Sequence, residues 1–464
     1  MSKWKYKKLS SLCSKIGDGI HGTPEYSDLS DIFFINGNNL NNGKIEINTN
    51  TKKVSIEELN KNYINLSEKS LLLSINGTIG SMAFYKNEKV MLGKSAAYLN
   101  FQTGINKFYF YYFQLPRIQK QFYNIATGST IKNLSLRSIQ DFEVPVPDEK
   151  EWVSIASVLS SLDAKIELNN RINAELEQMA KTIYDYWFVQ FDFPITAEYA
   201  VSFGQPQLEG KPYKSSGGKM VWSDELKREV PEGWDVKLLS DWLEISKSGD
   251  WGKESLEGNY TEKVYCFRGA DINGLNGLSE LKPPTRYILE KNKSKILEAN
   301  DLIVEISGGS PTQSTGRMAF ITNATLKRFD LPVICSNFCK PISLINKKLL
   351  YNFAYYWNSL YENGIFFGYE GKTSGIKNLL FDSFVTSFYT VVPDESIVDK
   401  FYNIMEDINN KKQNNLSENQ KLTELRDWLL PMLMNGQVKV GDVEDEEIMA
   451  MAAEPLGEYK VSKK

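Results

Sequence analysis

Apolar and small residues at Ile155, Leu159, Leu162 and Ile166, then at Leu176, Ala180, Ile183 and Trp187, follow one another in steps of four and three. Asn169 and Asn173 fill the two slots between these blocks. The spacing predicts one long helix with a heptad seam. A second series, Phe401, Ile404, Ile408, then Leu422, Leu425, Leu429 and Met432, predicts another, with a polar centre at Lys411, Asn415 and Glu418. A helix of about 37 residues would run roughly 55 Å and cannot bury its seam alone. Antiparallel pairing of the two would set one polar centre against the other, a layer that costs stability but fixes register. The other arrangement left open is each helix packed on its own globular domain.

Residues 1–150 read as a mixed α/β domain. Phe33-Phe34-Ile35, Leu71 to Ile75 and Met82 to Tyr85 are strand-like runs bounded by Gly and Asn. Lys107 to Tyr123 is aromatic-rich and reads as helical, and the turn-rich loop Thr127 to Leu134 follows. A short extended segment, Phe142 to Pro147, stops before the first long helix, taken as 151–191. Residues 192–235, with Pro194, Pro206, Pro212, Ser215-Ser216-Gly217-Gly218 and Pro231-Glu232-Gly233, have the composition of an irregular crossing segment. Residues 395–435 hold the second long helix, and 436–464 form an acidic tail.

Residues 236–394 repeat the plan of 1–150. Gly17-Asp18-Gly19 recurs as Gly249-Asp250-Trp251, and Gly37 and Leu40 recur as Gly269 and Ile272. Gly80-Ser81-Met82-Ala83-Phe84 recurs as Gly316-Arg317-Met318-Ala319-Phe320, and Ile131-Lys132-Asn133-Leu134 recurs unchanged at 376–379. Val146-Pro147 recurs as Val392-Pro393, each time just before a long helix. The fold class expected is therefore α+β: two similar mixed α/β domains separated by two long helices that pair as an antiparallel coiled coil.

Charge adds a modest pointer. The net charge is −4, yet residues 1–150 carry +6 while residues 151–200 carry −5 and residues 393–435 carry −3. A polyanion would meet the globular parts and be repelled by the helices. Four scattered cysteines give no disulfide framework, no apolar run approaches a membrane span, and the basic N-terminus lacks an apolar signal segment. These features fit a reduced, cytoplasmic protein with no membrane partner.

Catalytic apparatus is not evident. The single histidine, His21, lies in a Gly-rich loop and reads as a residue bonding locally. Gly371-Lys372-Thr373 and Gly93-Lys94-Ser95 mimic the end of a phosphate loop, but Phe366 and Glu88 stand where its first glycine is required. Pro147-Asp148-Glu149-Lys150 is better read as negative charge at a helix start than as a nuclease motif. The Asn-Pro-Pro-Tyr type of motif of adenine methyltransferases is absent, and no metal site is expected. What both repeats offer is polar loops: Asn36, Asn38 and Asn39; Lys94 and Ser95; Ser129, Thr130 and Lys132; and, in the second repeat, Arg268, Arg317, Lys372, Thr373, Ser374 and Lys377. Such side chains suit base edges and phosphates, Asn for adenine and Lys or Arg for guanine or phosphate. They also make ordinary turns.

The plan resembles the specificity subunit of type I restriction-modification enzymes. The resemblance rests on Gly17-Asp18-Gly19 through Pro24, Gly77-Thr78-Ile79-Gly80, Thr127 to Leu134, Ile155 to Ile166 and the closing Leu425-Arg426-Asp427-Trp428-Leu429-Leu430-Pro431. The second repeat departs from it, with Ser307-Gly308-Gly309-Ser310 in place of the Gly-Thr-Ile-Gly turn. The resemblance implies a non-catalytic subunit in which each globular domain is a target recognition domain for half of a split double-stranded DNA site. It also implies that the paired helices set the gap and dock two copies of an adenine methyltransferase subunit, with ATP-driven nuclease-translocase subunits joining to restrict. S-adenosylmethionine, ATP and Mg would belong to those partners and no cofactor to this chain. The rival reading is a two-headed coiled-coil scaffold that binds proteins and no DNA.

Overall fold

The computed structural model describes residues 4–202, 204–244, 247–310, 312–373 and 376–440. Two compact units divide the chain, Met1–Lys165 with Leu422–Lys464, and Ile166–Lys421.

In the first unit β1 (Lys5–Lys8), β2 (Cys13–Asp18), β3 (Ile32–Ile35), β4 (Ser70–Ser74), β5 (Met82–Phe84), β6 (Val90–Leu92), β7 (Ala96–Phe101) and β8 (Glu143–Val146) carry the framework. An antiparallel sheet runs in the order β2-β7-β4-β5, and β3 pairs in parallel with β6. Leu71, Leu72 and Leu73 are all fully buried, which is why β4 reads as a continuous apolar run and not as an alternating one. Helices Asn106–Gln114 and Pro116–Ile125 cover this sheet. The single helix expected over 107–123 is broken because Pro116 cannot continue one and instead opens the next.

The second unit builds the same framework from β9 (Asp235–Leu238), β10 (Tyr260–Phe267), β11 (Thr285–Leu289), β12 (Asp301–Glu305), β13 (Met318–Phe320), β14 (Val333–Cys335), β15 (Cys339–Ser343), β16 (Glu370–Thr373), β17 (Ile376–Leu379) and β18 (Tyr389–Val392). Several registers match between the units. Leu71 faces Phe84 and Leu99 as Leu302 faces Phe320 and Ile342. Ile35 pairs with Leu92 as Phe267 pairs with Cys335, and Lys5 faces Val146 as Asp235 faces Val392. One sequence equivalence needs correction. Ile20 N–H donates to Leu92 O and Asp250 N–H to Cys335 O, so the counterpart of Gly249 is Gly19, not Gly17. The reason is a close approach: a Cβ on Gly19 would sit 2.0 Å from Leu92 O, and one on Gly249 2.2 Å from Ser336 O.

The crossing segment 192–235 is less irregular than its composition suggests. It folds a helix (Ala197–Ser202) and a hairpin (Met220–Ser223 with Arg228–Pro231), and it sends Phe193, Ile195, Tyr213 and Trp234 into the core of the second unit. Stacked Phe193–Tyr213 and Phe193–Trp234 rings hold it there.

Each repeat ends in a long helix, Glu149–Tyr184 and Glu395–Met434. Asp148 accepts from Glu151 N–H at the first start and Asp394 from Ser396 N–H at the second, the same capping chemistry at equivalent positions. Cross-helix contacts run in opposite senses along the chain: Asp163 with Arg426, Asn169 with Asn419, Asn173 with Asn415, Glu177 with Lys412. The helices therefore pair antiparallel. Along the first seam Ile155, Leu159, Asn169, Asn173, Ala180 and, in the π-helical turn Asp185–Val189 that follows the helix, Trp187 are buried, while Leu162, Ile166, Leu176 and Ile183 are half-buried.

The second seam differs from its sequence reading. Phe401, Ile408 and Asn415 are buried and Leu422 is half-buried. The alternate positions fall one residue later, at Met405, Lys412 and Asn419, leaving Lys411 exposed and Ile404 and Leu425 37% and 44% exposed. Toward the helix end Leu430 and Leu433 are buried and Leu429 is half-buried. Orders 3-4 and 4-3 share every seventh residue, and Ile404 and Leu425 drew the sequence assignment to the wrong one. Shifting the first seam by 246, the offset from Val146 to Val392, gives 401, 405, 408, 412, 415, 419 and 422.

At the polar centre Asn169 Nδ2 donates to Asn419 Oδ1 (2.9 Å) and to Glu418 Oε2 (2.7 Å), and Asn415 Nδ2 donates to Asn173 Oδ1 (2.8 Å). Under the 246-residue offset the contact Asn169–Asn419 becomes Asn415–Asn173. The layer is thus symmetric under exchange of the two helices. The flanking ion pairs are not: the repeat equivalents of Lys412 and Arg426 are Ile166 and Ala180.

Candidate nucleic-acid interface

In the first unit the polar loops form one cluster. Asn36 N–H donates to Asn39 Oδ1 (2.9 Å), Ser95 Oγ donates to Asn36 Oδ1 (3.1 Å) and Gly37 N–H donates to Ser95 Oγ (2.9 Å). Thr78 Oγ1 donates to Gly37 O (3.0 Å), tying the 76–80 turn to the same loop. Asn76 bridges Asn133, and Leu134 N–H donates to Ile75 O (2.8 Å), which brings in residues 127–134. The candidates Asn36, Asn38, Asn39, Lys94, Ser95, Ser129, Thr130 and Lys132 therefore sit on neighbouring loops, though in two roles. Asn36, Asn39 and Ser95 hold the loops together, whereas Asn38, Lys94, Ser129 and Thr130 are exposed. Lys132 folds back, its Nζ 5.2 Å from the Tyr123 ring centroid. His21 Nε2 bonds Asp18 Oδ2 (2.9 Å), a local contact.

The second unit repeats the wiring with different side chains. A capping box, Arg268 with Asp271, replaces Asn36 with Asn39. Leu379 N–H donates to Ile306 O (2.9 Å) and Ser307 pairs with Asn378, as Ile75 and Asn76 do with Leu134 and Asn133. Between Glu305 and Arg317 the chain is longer than between Ser74 and Ser81, so the offset rises from 231 to 236.

Three cations expected at DNA are held by carboxylates. Arg268 forks onto Asp271 (2.8 and 3.0 Å) and reaches Lys282 O (3.1 Å). Arg317 forks onto Glu305 (2.8 and 2.7 Å) with side-chain exposures of only 15% and 3%. The bound carboxylate raises the pKa of each guanidinium, against the opposing effect of burial. Lys377 Nζ lies 2.9 Å from Glu370 Oε2. Burial would push the Glu370 carboxyl up, but Lys377, Thr315 N–H and the Ser314 hydroxyl outweigh it and hold it below its ordinary value. Arg268, Arg317 and Lys377 thus brace the loops. Lys372 and Thr373 lie on β16 opposite Lys377 and Ile376, and Ser374 lies outside the described residues.

Sequence reasoning missed Asn337, exposed at the repeat position of Lys94, and the exposed Ile131, Phe338, Phe367 and Ile376. Position within the repeat is the signal that could have found them. It also missed Asp163, which accepts from both Arg426 Nη1 (2.9 Å) and Tyr111 Oη (2.7 Å). Among the described residues no helix is long and apolar enough to cross a membrane.

Comparison with known proteins agrees with this architecture. The family model for the type I restriction modification DNA specificity domain matches residues 1–178 and 231–422. The specificity subunit of type I restriction enzyme MjaIX from Methanocaldococcus jannaschii is 25% identical over 382 residues, 81% of this chain and 78% of that protein. The specificity subunit of type I restriction enzyme HindI from Haemophilus influenzae is 24% identical over 349 residues, 68% of this chain and 72% of that one. In fold, the chain is similar to the crystal structure of the S subunit of a type I restriction-modification system from M. genitalium, with a TM-score of 0.57 at 14% identity, covering 93% of this chain and 96% of that one. The chain belongs to the type I restriction-modification DNA specificity family. It is the DNA specificity subunit of such a system, itself non-catalytic.

Proposed function

We propose that residues 1–150 and 236–394 are two target recognition domains, each reading one half of a bipartite double-stranded DNA site. The helices at 151–191 and 395–435 act as the spacer between half-sites, with 192–235 as the crossing segment. The observation that supports this best is the repeat itself: the same strand registers and loop wiring occur twice, each copy followed by a capped helix. Twofold-related recognition elements read half-sites whose separation mirrors protein geometry. Because the loops differ in exposed side chains, with Lys94 in the first unit and Asn337 at its position in the second, the half-sites differ in sequence. Two copies of an adenine methyltransferase subunit bind the complex, and nuclease-translocase subunits join it for restriction. S-adenosylmethionine, ATP and Mg serve those partners, in the cytoplasm where the DNA lies.

The spacer role is tested by adding one heptad to each long helix beside the asparagine layer, so that the pairing is kept. Seven residues lengthen a helix by about 10 Å, roughly three base pairs of B-DNA at about 3.4 Å each. Sequencing of methylated adenines is expected to show both half-sites unchanged and the gap longer by about three base pairs. An altered half-site at constant gap refutes the spacer.

A further inference from the structure

Resting on that reading, we propose that Ile131 and Ile376 are base-contacting residues, each meeting a thymine methyl group in its half-site. The two occupy one position in the repeat, fixed by the bonds from Leu134 to Ile75 O and from Leu379 to Ile306 O. Ile131 is 63% exposed and Ile376 48%. One exposed isoleucine on a surface needs no explanation. Here the same apolar side chain stands outward in both units, while the lysine after it turns inward. Lys132 lies over Tyr123 and Lys377 lies 4.8 Å from the Phe367 ring centroid while pairing with Glu370. Residue type would nominate the lysines as the contacts, yet their charges are already engaged with the protein. What each loop presents is an aliphatic side chain, and the ring under its neighbouring lysine is itself 57% (Tyr123) or 48% (Phe367) exposed.

Double-stranded DNA is a suitable partner for this pair of features. Polar groups border each isoleucine: exposed Ser129 and Thr130 beside Ile131, and Asn378 close to Ile376. In the major groove the one strongly apolar group on a base edge is the C5-methyl of thymine. An aliphatic contact there adds sequence information without a charge, in keeping with loops whose cations serve as internal braces.

The test uses the complex of this chain with its methyltransferase subunits. The wild-type site is first mapped by sequencing methylated adenines. Duplexes are then made with deoxyuridine in place of thymidine at each position of each half-site, which removes only the methyl group. At one position per half-site the wild-type complex should methylate the deoxyuridine duplex about fourfold to tenfold more slowly, the loss expected for one methyl contact. Ile131→Ser should abolish that difference in one half-site only, and Ile376→Ser in the other, whereas Ile→Leu should retain it. Both serine variants should melt with the wild type, because the side chains are exposed. If a bipartite site is found but deoxyuridine and the serine changes have no effect, the isoleucine proposal fails while the two-domain reading stands. If the serine variants weaken assembly with the methyltransferase and not base discrimination, these isoleucines face protein and the proposal is overturned. A wild-type complex that methylates no bipartite site overturns the underlying reading itself.

Discussion

Replacing Arg317 with serine is expected to destabilise the second unit by about 3–5 kcal/mol. Its partner Glu305 is 3% exposed, and removing the guanidinium would leave a buried carboxylate without its counter-ion. The repeat shows how the same site works without charge. Glu305 N–H donates to Arg317 O just as Ser74 N–H donates to Ser81 O, each at 2.8 Å. The first unit thus places two serines where the second places an ion pair. The double variant Glu305→Ser, Arg317→Ser should therefore be more stable than either single variant, since a buried pair replaced whole costs little compared with one broken. Urea unfolding of the full chain, wild type against the three variants, measures this. If Arg317→Ser leaves stability intact and weakens DNA binding by the complex, Arg317 is a DNA contact and not a brace.

The asparagine layer carries the second large effect. Asn415→Leu would remove the donor to Asn173 Oδ1 and bury an unsatisfied amide oxygen, a loss of about 1–3 kcal/mol. Changing Asn169, Asn173, Asn415 and Asn419 together to leucine should instead raise the melting temperature, because four desolvated amides are replaced by apolar side chains. The cost should appear as specificity: an apolar seam tolerates slipped registers and pairing between chains. The pairs Lys412–Glu177 and Arg426–Asp163 form only between unlike helices, so they disfavour dimers in which like helices pair. The quadruple variant should melt higher and show dimers by light scattering, and adding Lys412→Ala and Arg426→Ala should increase the dimer fraction. A quadruple variant that is less stable and strictly monomeric contradicts this role for the layer.

Both long helices, the repeat and the strand framework were legible because each rests on periodicity or on a run of one residue class. Leu71 to Leu73 and the seam from Ile155 to Trp187 are local patterns that burial converts directly into structure. The misses have a common physical origin. Ile404 and Leu425 were assigned to the seam because helical spacing fixes a heptad but not which of its two apolar positions leads. Only the first helix, copied through the 246-residue offset, separates Met405 from Ile404. Residue type assigns Arg268, Arg317 and Lys377 to DNA and does not show the carboxylate that each of them also holds. Asp271 stands three residues after Arg268, Glu305 faces Arg317 across a hairpin and Glu370 lies on the strand beside Lys377, and residue type alone gives no sign of such pairing. The crossing segment 192–235 looked irregular because Pro and Gly dominate its turns, although Phe193, Tyr213 and Trp234 supply enough apolar surface to pack it.

The most direct measurement is a genome-wide map of methylated adenine in cells expressing this chain with its methyltransferase subunits, repeated after residues 1–150 are exchanged for those of a relative. Two unlike half-sites at a fixed gap are predicted, with the exchange rewriting one half-site and leaving the other and the gap unchanged. A continuous recognition sequence, or an exchange that alters both halves, would contradict two independent reading domains on one spacer.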